Sequence, residues 1–123
     1  MTPLGVLLIS GGHERAHYAL MVASAAAAIG RDVTLFAANA GCALWLEEAP
    51  LAADAREGAL AAAGVATLAE LLEAVTAMGV RRIACEAGLR AAGLAGQPLA
   101  PGVEVAGLVT FLAAVGSGQV VTL

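Results

Sequence analysis

Short apolar runs alternate with helix-forming stretches along the whole chain, and this alternation restricts the fold more than any other feature. Residues 6–9, 33–37, 81–85 ("RRIAC"), 103–105 and 120–123 read as five strands. Between them a helix is expected over residues 14–29, closed by Gly30, and another over 68–78, with Thr67 as N-cap, Glu70 in the capping-box position and Gly79 behind it. A short helical stretch follows Cys85 as far as Ala92 and Gly93, and a further helix covers 108–115. Residues 47–63, with Pro50 near the start and Gly64 after the end, read as a helical or partly irregular connection, and "NAGCALW" (39–45) as a loop. Strands without a polar face must be covered on both sides, and strands joined by helices run parallel through right-handed crossovers. The expected architecture is therefore α/β: a three-layer α/β/α sandwich with a mostly parallel five-stranded sheet, flavodoxin-like in general layout, in a single domain spanning residues 1–123.

The composition is unusually apolar for a small domain, with 60% hydrophobic and only 13% charged residues. A small domain has too much surface to hide that proportion, so part of it is expected to meet another protein chain. The first helix supports this, because Ser24 is its only polar side chain between Tyr18 and Gly30, leaving no stripe suited to water. A homo-oligomer is the expectation.

Several ligand classes are excluded. The formal charge is -4, there is no lysine, and apart from Arg81-Arg82 the six arginines are scattered, so no basic stripe exists to neutralise phosphates. Aromatic residues at 3% provide no base-stacking platform, and nucleic acid is not an expected partner. Without lysine there is neither a pyridoxal Schiff base nor a P-loop lysine, and no cofactor is expected. The first ten residues lack a basic region and a long apolar run, so they do not read as a secretion signal, and a cytoplasmic location is expected. Residues 105–123 carry no charge, but the turn cluster Gly116-Ser117-Gly118-Gln119 splits them, and membrane contact is not expected.

In a parallel sheet of this kind ligands sit beyond the carboxyl ends of the strands. That rule gathers Gly11, Gly12, His13, Asn39, Cys42, Cys85 and Glu86 onto one rim although they are far apart in sequence. Gly11, Gly12, His13, Asn39, Cys42 and Glu86 are candidate substrate-binding residues. Gly11-Gly12 before a helix suits either an anion-binding turn or a tight strand-to-helix connection. Cys85 is the candidate nucleophile, since it ends an apolar strand and precedes a helix whose amides favour a sulfur anion, although the neighbouring Glu86 acts against this. The alternative is a buried, inert thiol.

"HERAH" (residues 13–17) matches the H-E-x-x-H pattern of zinc metalloproteases. Here His13, Glu14 and His17 open a helix instead of sitting within it, Arg15 puts a positive charge beside any metal, and the chain has no third histidine. Only a carboxylate such as Glu47 or Glu86 could complete the site. A zinc-dependent hydrolase is thus a weaker alternative, and no metal is expected.

The stretch "GVATLAELLEAVTAMGVRRIACEAGLRAAGL" followed by "PLAPGVEVAGLVTFLAAVGSGQVVTL" resembles the DsrE/DsrF/DsrH-like family of sulfur-relay proteins. The similarity rests on Met78-Gly79 ending a leucine-rich helix, Ala84-Cys85 ending a strand, Gly93, and "GVEVAG" at 102–107. The first half agrees through its alanine-rich helix and "DVTLF", and residues 39–63 agree least. The resemblance implies a layered α/β domain assembling as a homotrimer or hexamer, with Cys85 carrying sulfane sulfur as a persulfide between donor and acceptor proteins or small persulfides. Where the nearest patterns carry methionines, a serine and an acid after the cysteine, this chain has Ala87, Gly88, Leu89 and Arg90, which bears on substrate and partner. Nearby amides or Arg90 are candidates to stabilise the sulfur anion, and Cys42 is a candidate second thiol. A non-catalytic binding subunit of the same family is the alternative function.

Overall fold

The computed structural model describes residues 1–123. Strands β1 (Leu4–Leu8), β2 (Val33–Ala37), β3 (Arg81–Cys85), β4 (Glu104–Ala106) and β5 (Gln119–Thr122) form one sheet in the order β4-β3-β2-β1-β5. Every neighbouring pair is parallel. The α-helices are α1 (His13–Ala28), α2 (Arg56–Ala62), α3 (Leu68–Ala77), α4 (Glu86–Ala91) and α5 (Leu108–Val115). The segment expected as a loop, Asn39–Trp45, winds into a 3-10 turn, and a second such turn spans Pro50–Ala53. The layered α/β architecture and the five parallel strands expected from the alternation are what the chain adopts.

The sheet divides the core in two. Leu4, Val6, Leu8, Leu35, Ala37 and Ala84 pack with the helices α1 and α3, together with Trp45. On the opposite face Phe36 and Ile83 meet Phe111 and Val115 of α5, with the Phe36 and Phe111 ring centroids 4.9 Å apart. Strand β1 starts two residues before the expected position because Leu4 already pairs with β2 and β5. Glycine discourages strand formation, yet at Gly5 it is required: an added Cβ would run into the Val115 and Phe111 side chains, so α5 lies against bare backbone there.

Helix α1 carries alanine at Ala16, Ala19, Ala23 and Ala26, all buried, and this smooth surface lets it lie against the sheet. Helix α3 of the same chain packs on α1, while Tyr18, Ala25 and Ala28 of α1 stay exposed. Helix α5 exposes a run of apolar side chains, Leu108, Val109 and Leu112, with Val109 81% exposed. The charge-free stretch 105–123 is broken between α5 and β5 by Gly116 at φ +57°, and no helix is long and apolar enough to cross a membrane.

The start of α3 is tied down twice. Thr67 Oγ1 accepts from the Glu70 amide at 3.1 Å and Glu70 Oε1 accepts from the Thr67 amide at 3.1 Å, the reciprocal capping box. The remaining free amides, Leu68 and Ala69, donate to the Glu57 carboxylate at 2.8 and 2.9 Å. His13 Nε2 lies 2.9 Å from the same carboxylate, so one side chain of α2 joins the starts of α1 and α3. Burial pushes the Glu57 pKa up, but hydrogen bonds from the Ala69 amide, His13 and the Leu68 amide outweigh it, leaving the carboxyl below its ordinary value of 4.5. A depressed carboxyl stabilises the fold above its unfolded pKa and loses that contribution as pH falls through the folded value. Glu57→Ala is expected to lower stability by about 1–3 kcal/mol at neutral pH, the cost of orphaning buried partners. In urea titrations the gap between variant and wild type should close as the pH drops below 4.5.

Candidate functional site

The carboxyl ends of β1, β2 and β3 are bound together by backbone passing where side chains would block it. The turn after β2 is clamped to β1, with the Ala38 amide donating to Leu8 O at 2.8 Å and the Gly41 amide to Ile9 O at 3.0 Å. A Cβ on Gly41 would collide with Leu8 O, and one on Gly11 would come within 2.9 Å of Ala40. Asn39 adopts the left-handed conformation, φ +53°, which Asn tolerates better than other residues with a Cβ. Trp45, at the far end of the turn, is buried and donates its indole Nε1–H to Ile83 O at 3.0 Å, locking the turn to β3.

Strand β3 then passes directly into α4. Cys85 is at once the last residue of β3 and the N-cap of α4, and its Sγ accepts from the Gly88 amide at 3.3 Å. The sulfur takes the place that a Ser or Asp oxygen usually occupies in a cap. Gly88 can reach it because α4 presses onto the turn after β2: a Cβ at this position would collide with the Asn39 nitrogen and lie 3.0 Å from Ala38 Cα. Cys85 is half-buried, resting on the Phe36–Phe111 side of the sheet beside Ala38 and Ala106. The neighbouring Glu86 is exposed and paired with Arg90 one helical turn on. That pairing answers the objection that Glu86 burdens the thiol with an unbalanced charge, and it occupies the arginine that had been a candidate to stabilise the sulfur anion.

Cys42 is fully buried and its thiol donates to Ala37 O at 3.4 Å. Burial pushes its pKa up to about 11; a backbone hydrogen bond from Cys85 pulls it down, and the charge of Cys85 raises it. Both cysteines are free thiols, Cys42 within the core on the α1–α3 side of the sheet and Cys85 against the cluster on the other. Glu86, Leu89, Arg90, Gln97, Leu99 and Val105 line a groove of about 320 Å³ along α4, of which Cys85 is not a wall.

The rim therefore unites Gly11, Asn39, Cys42, Cys85 and Glu86. Gly12 caps α1 in an exposed position and donates its amide to Ser10 Oγ at 3.2 Å. The His13 side chain leaves the rim for Glu57. His17 Nε2 lies 2.8 Å from Ala66 O, where it can only donate, and the two histidine rings stack with centroids 6.0 Å apart. No group of three His, Cys, Asp or Glu side chains is placed to hold a metal ion. "HERAH" is a structural clasp joining α1 to α2 and to the loop before α3.

The model of the DsrE/DsrF-like family matches residues 4–123. The chain belongs to the DsrE/DsrF-like family. The crystal structure of the ychN protein of E. coli aligns with a TM-score of 0.76 at 23% sequence identity, covering 100% of each chain, an agreement in fold. A search of the curated proteins gives no match. Within this DsrE/DsrF-like chain, sequence reasoning missed Gly88 and Glu57. Gly88 had a signal in its spacing, three residues past the cysteine at the third helical position, where an N-cap side chain finds its amide. Glu57 had none, because its partners are 44 and 11 residues away.

Gly88→Ala is expected to push α4 off the Ala38–Asn39 backbone, costing about 1–3 kcal/mol as overpacking does. It should also lengthen the amide-to-sulfur hydrogen bond and change the alkylation rate of Cys85 several-fold, measured by iodoacetamide mass labelling. An unchanged rate would mean that the amide does not govern the thiol.

Proposed function

We propose that this protein is a sulfur carrier of the relay type, in which Cys85 accepts sulfane sulfur and passes it on. One observation carries the reading: in a DsrE/DsrF-like chain, the half-buried Cys85 sulfur stands at the carboxyl edge of the sheet with a helix amide aimed at it. Such a sulfur attacks the outer sulfur of a donor persulfide, R–S–SH, forming Cys85–S–SH and releasing the donor as RSH. An acceptor thiolate then takes the terminal sulfur and Cys85 is regenerated. No net oxidation occurs and no metal is needed. The Gly88 amide can hold negative charge on Sγ in both half-reactions.

The assembly is part of the proposal. Leu108, Val109 and Leu112 of α5 form an exposed apolar surface on the side of the sheet against which Cys85 packs, and a second copy of the chain is its proposed cover.

Incubation with inorganic polysulfide should add the mass of one or more sulfur atoms to the wild-type chain, and Cys85→Ser should abolish the addition. Equal loading of both would favour the non-catalytic binding subunit. Val109→Asp is expected to shift sedimentation toward the monomer at micromolar concentration; a wild-type chain that is already monomeric rejects the assembly.

A further inference from the structure

One half-buried arginine is left without a partner. Arg31 donates to Thr2 O and Pro3 O, while Arg56, Arg81 and Arg90 pair with Asp54, Glu104 and Glu86. Arg15 is exposed to solvent on α1. Arg82 sits near the amino end of β3, the end opposite Cys85, and its side chain makes neither a hydrogen bond nor an ion pair with the protein. None of its nitrogens is sealed from solvent, so its N–H donors open onto free space. The guanidinium is accommodated by bare backbone: Gly102 has φ +87°, and a Cβ there would run into Arg82 Nη2.

That free space is a groove of about 400 Å³ on the α3 side of the sheet. Its apolar walls are Leu44, Trp45 and Leu46 from the turn after β2, Leu72 and Ala77 of α3, and Ala100. These walls are fixed in advance. The Ala100 amide donates to Trp45 O at 2.9 Å, the Glu47 amide donates to Pro98 O at 3.0 Å, and Leu46 pairs with Leu99 in an antiparallel bridge. Besides Arg82 the polar lining residues are Glu47, Glu73 and Thr76, all exposed, and the Thr76 hydroxyl donates to Leu72 O at 2.8 Å.

An unpaired guanidinium beside apolar walls suits a ligand with an anionic head and an apolar body. The planar fork of N–H donors matches a carboxylate, the attraction is stronger where water is partly excluded, and hydrocarbon gains by leaving water. We propose that the groove binds a monocarboxylate with a hydrocarbon chain, its carboxylate on Arg82 and its chain along Leu44, Leu46, Leu72 and Ala77. Glu47 and Glu73 form no ion pair with Arg82 and add negative charge to the exposed border, which disfavours a ligand with a second carboxylate. The site uses nothing of the Cys85 junction and does not depend on the carrier reading.

The test is calorimetric titration of the full chain with butanoate, hexanoate and octanoate. Affinity should rise about fourfold for each methylene that enters the groove. Octan-1-ol, with the same chain and no charge, should bind at least about tenfold more weakly than octanoate, and Arg82→Gln should weaken octanoate by a similar factor. Arg82→Lys, which keeps the charge and loses the fork, should fall between wild type and Arg82→Gln. Octanedioate should bind more weakly than octanoate. Glu73→Gln, at an exposed position where folding is not at risk, should narrow that gap. Equal affinity for octanol and octanoate, octanoate binding unaffected by Arg82→Gln, or no saturation at millimolar concentration would each overturn the proposal. If Arg82→Gln does not fold, an octanedioate affinity that Glu73→Gln leaves unchanged overturns it instead.

Discussion

The junction at Cys85, where a strand becomes a helix with no residue between, governs the site. A cap side chain at such a junction has no freedom to wander, since its backbone belongs to the sheet on one side and to the helix on the other. The sulfur is consequently placed by main-chain geometry, and the surrounding residues serve to keep that junction in position. Gly88 lets α4 lean on the turn after β2, Gly41 and the Ala38 amide bind that turn to β1, and Trp45 pins its far end to β3. A site built from backbone approaches depends on small residues where a conventional active site would depend on charged ones, which suits a chain so short of charge.

Much of this was legible in the sequence where local rules dominate. The runs 33–37, 81–85 and 108–115 form elements with those same limits, and Thr67 with Glu70 makes the expected capping box. The start of β1 and the winding of Asn39–Trp45 were not legible, and for one reason: both are decided by packing between segments distant in the chain. Gly5 looks like a strand breaker until α5 is laid on it, and "NAGCALW" looks like a loop until Gly41 is set on the end of β1.

The histidines show the converse, a local pattern that suggests chemistry and is tied by hydrogen bonds into the framework. Spacing alone puts His13 and His17 one helical turn apart on the same face, as a zinc-binding pair requires, but that face is turned inward. There the rings find Glu57 and Ala66 O, and the charge of Glu57 is spread over the start of α3 and the His13 imidazole. The partner of His13, Glu57, lies far outside the five-letter match.

The chain contains one tryptophan, and its indole N–H rests on the carbonyl of Ile83, two residues before Cys85. The molecule thus holds a buried intrinsic fluorophore wired by a hydrogen bond to the strand that ends in Cys85. A shift of that strand or of the adjoining turn alters the polarity around the ring, so the colour of its emission reports on the state of the site without any added label.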